Sequence, residues 1–362
     1  MPETTYRGRR AFQIANAQVE VTVLMEGGHI ASILHKASGI NPLWSPPWPS
    51  MEPSAFDPVK TTGYGKDAES RLLAGIMGHN LCLDLFGGPS PEEEAAGVTV
   101  HGEGSIAPYA ITGSGGALHM HGELRQPGLL LDRGIELRGD VVVVRETVEN
   151  LTSTDRPIAW TQHVTLGPPF VERGKTEFRA PATRSKVIEN DFTGGKGKQK
   201  TGAEFDWPLC PRIDRGTIDL RVYPSDEVSA GYTAHLMDPH REQAFFSAWN
   251  PASRLLFGYV WKRSDFPWLG RWEENHSRTN PPWNGNTLTC GMEFGASPMP
   301  ETRRSMIERG SLFGVPGYRW LPARAKATVE YCAFARSAGA IPENVVWDGG
   351  ATVRHATGQE AF

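Results

Sequence analysis

The order of apolar and polar positions along the chain is that of strands. Gln18–Leu24 alternates with period two, breaks at Gly27-Gly28 and resumes over His29–Leu34, which predicts a strand, a glycine turn and a returning strand. Asp140–Glu149, entered through Gly139, carries a run of valines and predicts a further strand. After the polar turn at 150–157, Ile158–Leu166 is expected to return as its antiparallel partner. Ile218–Tyr223, Ala244–Trp249, Arg254–Trp261 and Ala327–Ala335 also read as strands. Helices are expected only at Pro91–Ala96 and Glu301–Arg309. The first follows a Ser90 cap and holds Glu92, Glu93 and Glu94 in its first turn, where the helix dipole favours them. The Pro-, Gly- and Trp-rich stretches at 41–50 and 266–286 are expected as long ordered loops, the usual location of binding residues. The Gly/Lys-rich stretch at 194–200 is expected as a mobile loop. Strands from end to end with irregular insertions predict an all-β fold, a large antiparallel sandwich, with residues 1–362 as one domain.

Composition narrows the function classes. With 39% hydrophobic and 22% charged residues in 362, a sizeable core can form. Lys and Arg total 37 against 41 Asp and Glu, a net charge of −4, which argues against a nucleic-acid or anionic-membrane partner. Cys82, Cys210, Cys290 and Cys332 are scattered without a CxxC, so neither a zinc ribbon nor a redox pair is indicated. The first residues lack the apolar core of a secretory signal, and no apolar stretch of about 20 residues occurs. A cytoplasmic protein with reduced thiols is therefore expected, and the Asn150-Leu151-Thr152 sequon is read as coincidental.

Candidate chemistry lies in three segments: Gly78-His79-Asn80 continuing to His101-Gly102-Glu103, the run around His163, and the run around Glu293. Glu293 stands between Met292 and Phe294, so a strand would point it away from its apolar neighbours. If the face it points to is buried, its charge needs a partner or a shifted pKa.

Several of these residues together resemble the galactose mutarotase-like superfamily, the aldose 1-epimerases, over most of the chain. The resemblance is carried by Gly27-Gly28-His29-Ile30-Ala31-Ser32, by His101-Gly102, by Asn150, Pro157, His163 and Leu166-Gly167, and by Glu293 with Ser297-Pro298, in that order. A final strand after Leu321-Pro322 completes it. It implies a galactose mutarotase-like super-sandwich, a carbohydrate substrate, no cofactor or metal, and interconversion of sugar anomers. In that chemistry Glu293 would be the general base that takes the O1 proton, and His163 the general acid that gives one to O5, from opposite sides of the sugar. His101 would support the acid role. The family's sugar-gripping Arg falls near Gly75–Asn80, where no Arg stands; His79, Asn80 or Arg71 would take its place, and Asp238 falls where a hydroxyl-binding Asp is expected. The stretch from Phe266 through Trp283 departs from the family pattern and leaves the sugar open.

Other readings accompany this one. Trp268, Trp272 and Trp283 are either a stacking platform for sugar C–H faces or packing residues, and Arg271, Glu273, Glu274 and Asn275 either hydroxyl-binding groups or a solvated loop. His119-Met120-His121 with Glu123 suggests a cupin-like metal site, and His79, His101, His163 and Glu293 could surround a metal instead of a sugar. A non-catalytic carbohydrate sensor on the same fold is a third possibility.

Overall fold

In the computed structural model, which describes residues 3–350 and 352–356, two antiparallel sheets of twelve and eight strands face one another. The middle of the larger sheet runs, in spatial order, Ile30–His35, His79–Asp84, Arg156–Leu166, Leu288–Gly295, Trp268–Asn275 and Ser229–Met237. The smaller sheet is centred on Leu255–Lys262, Lys326–Ser337, Val141–Asn150 and Leu129–Arg138. Among the described residues no helix is long and apolar enough to cross a membrane.

Alternation assigns each strand its two faces. His79, Leu81 and Leu83 point between the sheets, as do Trp160, Gln162 and Val164 and, from the Glu293 strand, Met292 and Phe294. The apolar members of this set pack with Val142, Val144, Phe246, Tyr259 and Trp261 of the smaller sheet in one buried cluster. Trp261 stacks on Phe294 at 4.3 Å between centroids. The opposite face of the larger sheet is covered too: Cys82, Ala159, Tyr232 and Trp272 lie under Trp44, Trp48 and Trp283 from long insertions. A central sheet buried on both faces is why its polar residues are shielded from water.

Several expectations need correction. Val141–Asn150 and Arg156–Leu166 are not partners: the first pairs with Lys326–Ser337 and Leu129–Arg138, the second with His79–Asp84 and Leu288–Gly295. The chain crosses between sheets at this corner, where the Asn150 amide donates to the carbonyls of Thr154, Leu321 and Pro322. Asn150 is thus a buried structural residue. The expected loop at 266–286 contains the strand Trp268–Asn275, whose charges are paired: Arg271 Nη1 lies 3.2 Å from Glu273, and Glu274 accepts from the Ser277 and Arg278 amides. Of the expected strand Ile218–Tyr223 only Ile218 and Asp219 are strand, within Thr217–Asp219, which pairs in a two-stranded ribbon with Leu209–Pro211. The 194–200 loop is tied down: Gly197 bridges to Ala230, and the Lys196 ammonium donates to the Ser277 carbonyl.

A polar network occupies the space between the sheets. Glu146 accepts from Arg133 Nε at 2.8 Å, Trp160 Nε1 at 2.9 Å, Gln162 Nε2 at 2.7 Å and the Tyr331 hydroxyl at 2.7 Å. Burial pushes the Glu146 carboxyl up, but Arg133 and the Tyr331 and Trp160 hydrogen bonds outweigh it and hold the group below its ordinary value.

Three buried histidines set the acid limit. Burial drives His29, His79 and His235 each down to about 3, so all three are neutral in the folded protein at neutral pH. Unfolded, each binds a proton below its ordinary 6.5; their stabilisation is therefore full above pH 6.5 and is lost as pH falls toward 3. In thermal or urea unfolding against pH these three are expected to contribute a loss of roughly 4 kcal/mol per pH unit in that window. A flat profile down to pH 4 would contradict this account.

Candidate active site

His163 lies directly opposite Glu293 on one neighbouring strand and opposite Asn80 on the other, and Glu293 faces Gly270 beyond. Directly opposed residues share a sheet face, so Asn80, His163 and Glu293 form one polar row across the middle of the larger sheet, on the side away from the smaller one. Glycines keep this row clear. A Cβ at Gly291 would run into Glu293 Oε1, and one at Gly295 into Thr161 Oγ1.

His163 Nε2 stands 3.1 Å from Glu293 Oε1, while its Nδ1 is 3.0 Å from Thr165 Oγ1. The Nε2 approach lacks the alignment of a hydrogen bond, and Glu293 Oε1 is a buried oxygen with no hydrogen-bond partner. The two side chains therefore sit side by side. His101 enters from a loop with left-handed backbone, φ 68°, and its Nδ1 donates to the Phe86 carbonyl at 2.6 Å. That bond leaves Nε2 of the neutral ring as an acceptor. The His101 and His163 rings are 4.8 Å apart.

These three residues line a cavity of about 340 Å³, together with Tyr232, Trp272 and Trp283 and, at a half-exposed rim, Glu69 and Arg278. The size suits one small polar ligand. Arg278 is held in place by Glu69 at 3.1 Å and Glu274 at 3.7 Å, with its guanidinium 4.6 Å over the Trp283 ring and 5.7 Å over that of Trp272. Its charge is thus already offset by carboxylates.

Burial governs the protonation of the pair. It pushes Glu293 up to about 8 and, with the neighbouring His101, holds His163 well below its ordinary range. Near neutral pH the two side chains therefore hold one proton between them, on the carboxyl.

Of the residues selected from sequence, Glu293, His163, His101, Trp272 and Trp283 come together in this cavity. His79 does not: it shares the inward face with Leu81 and Leu83, between the Tyr259 hydroxyl at 3.0 Å and Gln162 Oε1 at 2.9 Å. Asn80 is on the site face beside His163, fully buried, with Nδ2 unpartnered. Arg71 is turned to the Pro53 carbonyl, 3.1 Å from Nε, and Asp238 caps a turn by accepting from the His240 amide; neither lines the cavity. Trp268 packs at the Pro316 carbonyl, and Arg271 and Glu273 point inward, away from the cavity. Asn275 donates to the Asp226 carbonyl. Glu69, Arg278 and Tyr232 line the site without having been singled out; Glu69 and Arg278 stand far apart in the chain, and only the fold joins them.

The metal readings find different geometry. His119 and His121 lie on the exposed surface of the smaller sheet, both against Asp132, at 3.3 and 2.8 Å. Among the described residues no group of three or more His, Cys, Asp or Glu is arranged to hold a metal ion.

No protein-family model and no curated protein matches the sequence. Solved structures do. A Klebsiella pneumoniae protein provisionally assigned as an aldose 1-epimerase is 14% identical, over 92% of this chain and 80% of that one, with a TM-score of 0.66. A galactose mutarotase-like protein from Clostridium acetobutylicum is 12% identical over 93% and 98% of the two chains, TM-score 0.60. One from Lactobacillus casei is 13% identical over 90% and 100%, TM-score 0.56. The chain has the galactose mutarotase-like β-sandwich fold.

Proposed function

We propose that the protein is an isomerase that interconverts the anomers of a neutral aldose. The observation that supports this most is the unpartnered, buried Glu293 oxygen 3.1 Å from His163 in a cavity of about 340 Å³. O1 and O5 of a pyranose are bonded to the same carbon, so a base for one and an acid for the other have to lie within the width of one sugar ring, as these two groups do.

With the shared proton moved onto His163, Glu293 as carboxylate takes the O1 proton. The O1 electrons form the C1 carbonyl, the C1–O5 bond breaks, and O5 takes the proton held by His163. After rotation about C1–C2 the roles reverse: His163 recovers the O5 proton as O5 attacks the other carbonyl face, and Glu293 returns a proton to O1. The pair ends as it began. His101, with its Nδ1 proton fixed on Phe86 and its ring 4.8 Å from that of His163, helps to hold the His163 ring in position. The offset charge of Arg278 favours an uncharged ligand.

Anomer exchange followed by NMR across a panel of neutral aldoses tests this. Exchange accelerated for at least one aldose is the expected outcome. Saturable binding without acceleration would establish the sensor reading instead, and neither binding nor exchange would remove the carbohydrate assignment.

A further inference from the structure

Trp283 is 2% exposed and lines the cavity, yet its indole Nε1 is a buried donor without a partner. Its ring surface is already engaged. Arg278 lies 4.6 Å over it, Trp44 stacks within 10° of parallel at 6.2 Å, and Trp48 and Trp272 meet it edge-on at 5.0 and 6.1 Å. Arg278 cannot leave without breaking its ion pairs to Glu69 and Glu274. The role of stacking platform is therefore filled from within the protein, and the one polar group of Trp283 left without a partner is its indole N–H.

From this we infer that Trp283 is a specificity residue that donates its indole N–H to one hydroxyl oxygen of the bound sugar. The inference rests on the isomerase reading and deepens it: the site selects aldoses that place a hydroxyl at that edge. Indole is a donor only, so it matches an uncharged hydroxyl oxygen. A sugar lacking that hydroxyl leaves the buried N–H unpaired, and a site built around a hydroxyl discriminates strongly against the analogue without it.

The test compares wild type with Trp283→Phe, which keeps an aromatic ring among Trp44, Trp48 and Trp272, on the aldose turned over fastest and on each of its monodeoxy analogues. Trp283→Phe is expected to raise KM for the parent sugar about fivefold to tenfold, with the loss falling on KM more than on kcat. For one monodeoxy analogue, wild type and variant should have equal KM, because the bond is already missing. An unchanged KM for the parent, or the same penalty for every analogue, would overturn the inference. An independent readout needs no variant. In protein labelled with 15N-tryptophan, the Trp283 indole resonance, assigned through its contacts with Trp44 and Trp48, should move downfield on saturation with the parent sugar; a resonance that stays in place overturns the inference. Wild type that binds an aldose without exchanging its anomers would remove the isomerase reading and leave the indole shift to decide the role of Trp283.

Discussion

Glu293→Gln is expected to lower catalysed anomer exchange by about 10²- to 10⁴-fold, the usual worth of a positioned acid–base group, while the protein stays folded and gains stability at alkaline pH. The gain follows from proton counting. With Glu293 raised to about 8 from 4.5, the folded protein keeps a proton across that window that the unfolded chain has released. Stability from this group is full below pH 4.5 and is lost toward pH 8, by about 1.4 kcal/mol per pH unit. His163, lowered from 6.5, has the opposite slope below that value and opposes the Glu293 decline there, so the net decline stands clear from 6.5 to about 8. Glutamine removes the Glu293 share. Urea unfolding of both proteins at several pH values should therefore show the variant's advantage widening from pH 4.5 to 8. A variant that does not fold, or one that retains full exchange, would mean that Glu293 is a packing residue.

Arg133→Met is expected to cost about 3–5 kcal/mol of stability, because it leaves the Glu146 carboxylate buried without its cation. The remaining donors, Trp160, Gln162 and Tyr331, are neutral. Replacing both charges, with Arg133→Met and Glu146→Gln together, should recover part of the loss, since the uncompensated charge rather than the missing bond carries most of it. Denaturation midpoints of the two variants measure this. A loss under about 1 kcal/mol in the single variant would show that water or a moved side chain reaches Glu146.

Sequence periodicity carries much of this fold because most strands have one face packed between the sheets. Val19–Leu24, Ile30–His35, Val141–Asn150 and the hairpin Gln243–Asn250 with Leu255–Lys262 all follow from alternation or valine content. Trp268–Asn275 does not. It lies mid-sheet with both faces covered, and its Arg271, Glu273 and Glu274 are satisfied by partners that are invisible in the local pattern, so it reads as a polar loop. The partner of Val141–Asn150 is hidden for a related reason: a turn of hairpin composition here carries the chain from one sheet to the other.

At the site, the face of Glu293 was legible from Met292 and Phe294 alone. The same rule applied to His79, with Leu81 and Leu83 after it, places that imidazole inward, and it decides against the substrate role that a position-by-position resemblance suggested. That His163 and Glu293 are immediate cross-strand neighbours is a matter of register, which no spacing in the chain encodes. Glu69 and Arg278 belong to insertions whose meeting depends on the whole fold.

In the proposed reaction the larger sheet supplies the two groups that handle the proton, and the segments outside the strands supply several of the residues around the sugar. His163 and Glu293 are fixed by backbone pairing on both sides, whereas Glu69, Arg278 and Trp283 hang from segments outside the strands. On that proposal, such a division would separate chemistry from selectivity in evolution: descendants could rewrite those segments and take up new sugars while the reacting centre is inherited intact, so divergence concentrated there would record a change of diet rather than a change of reaction.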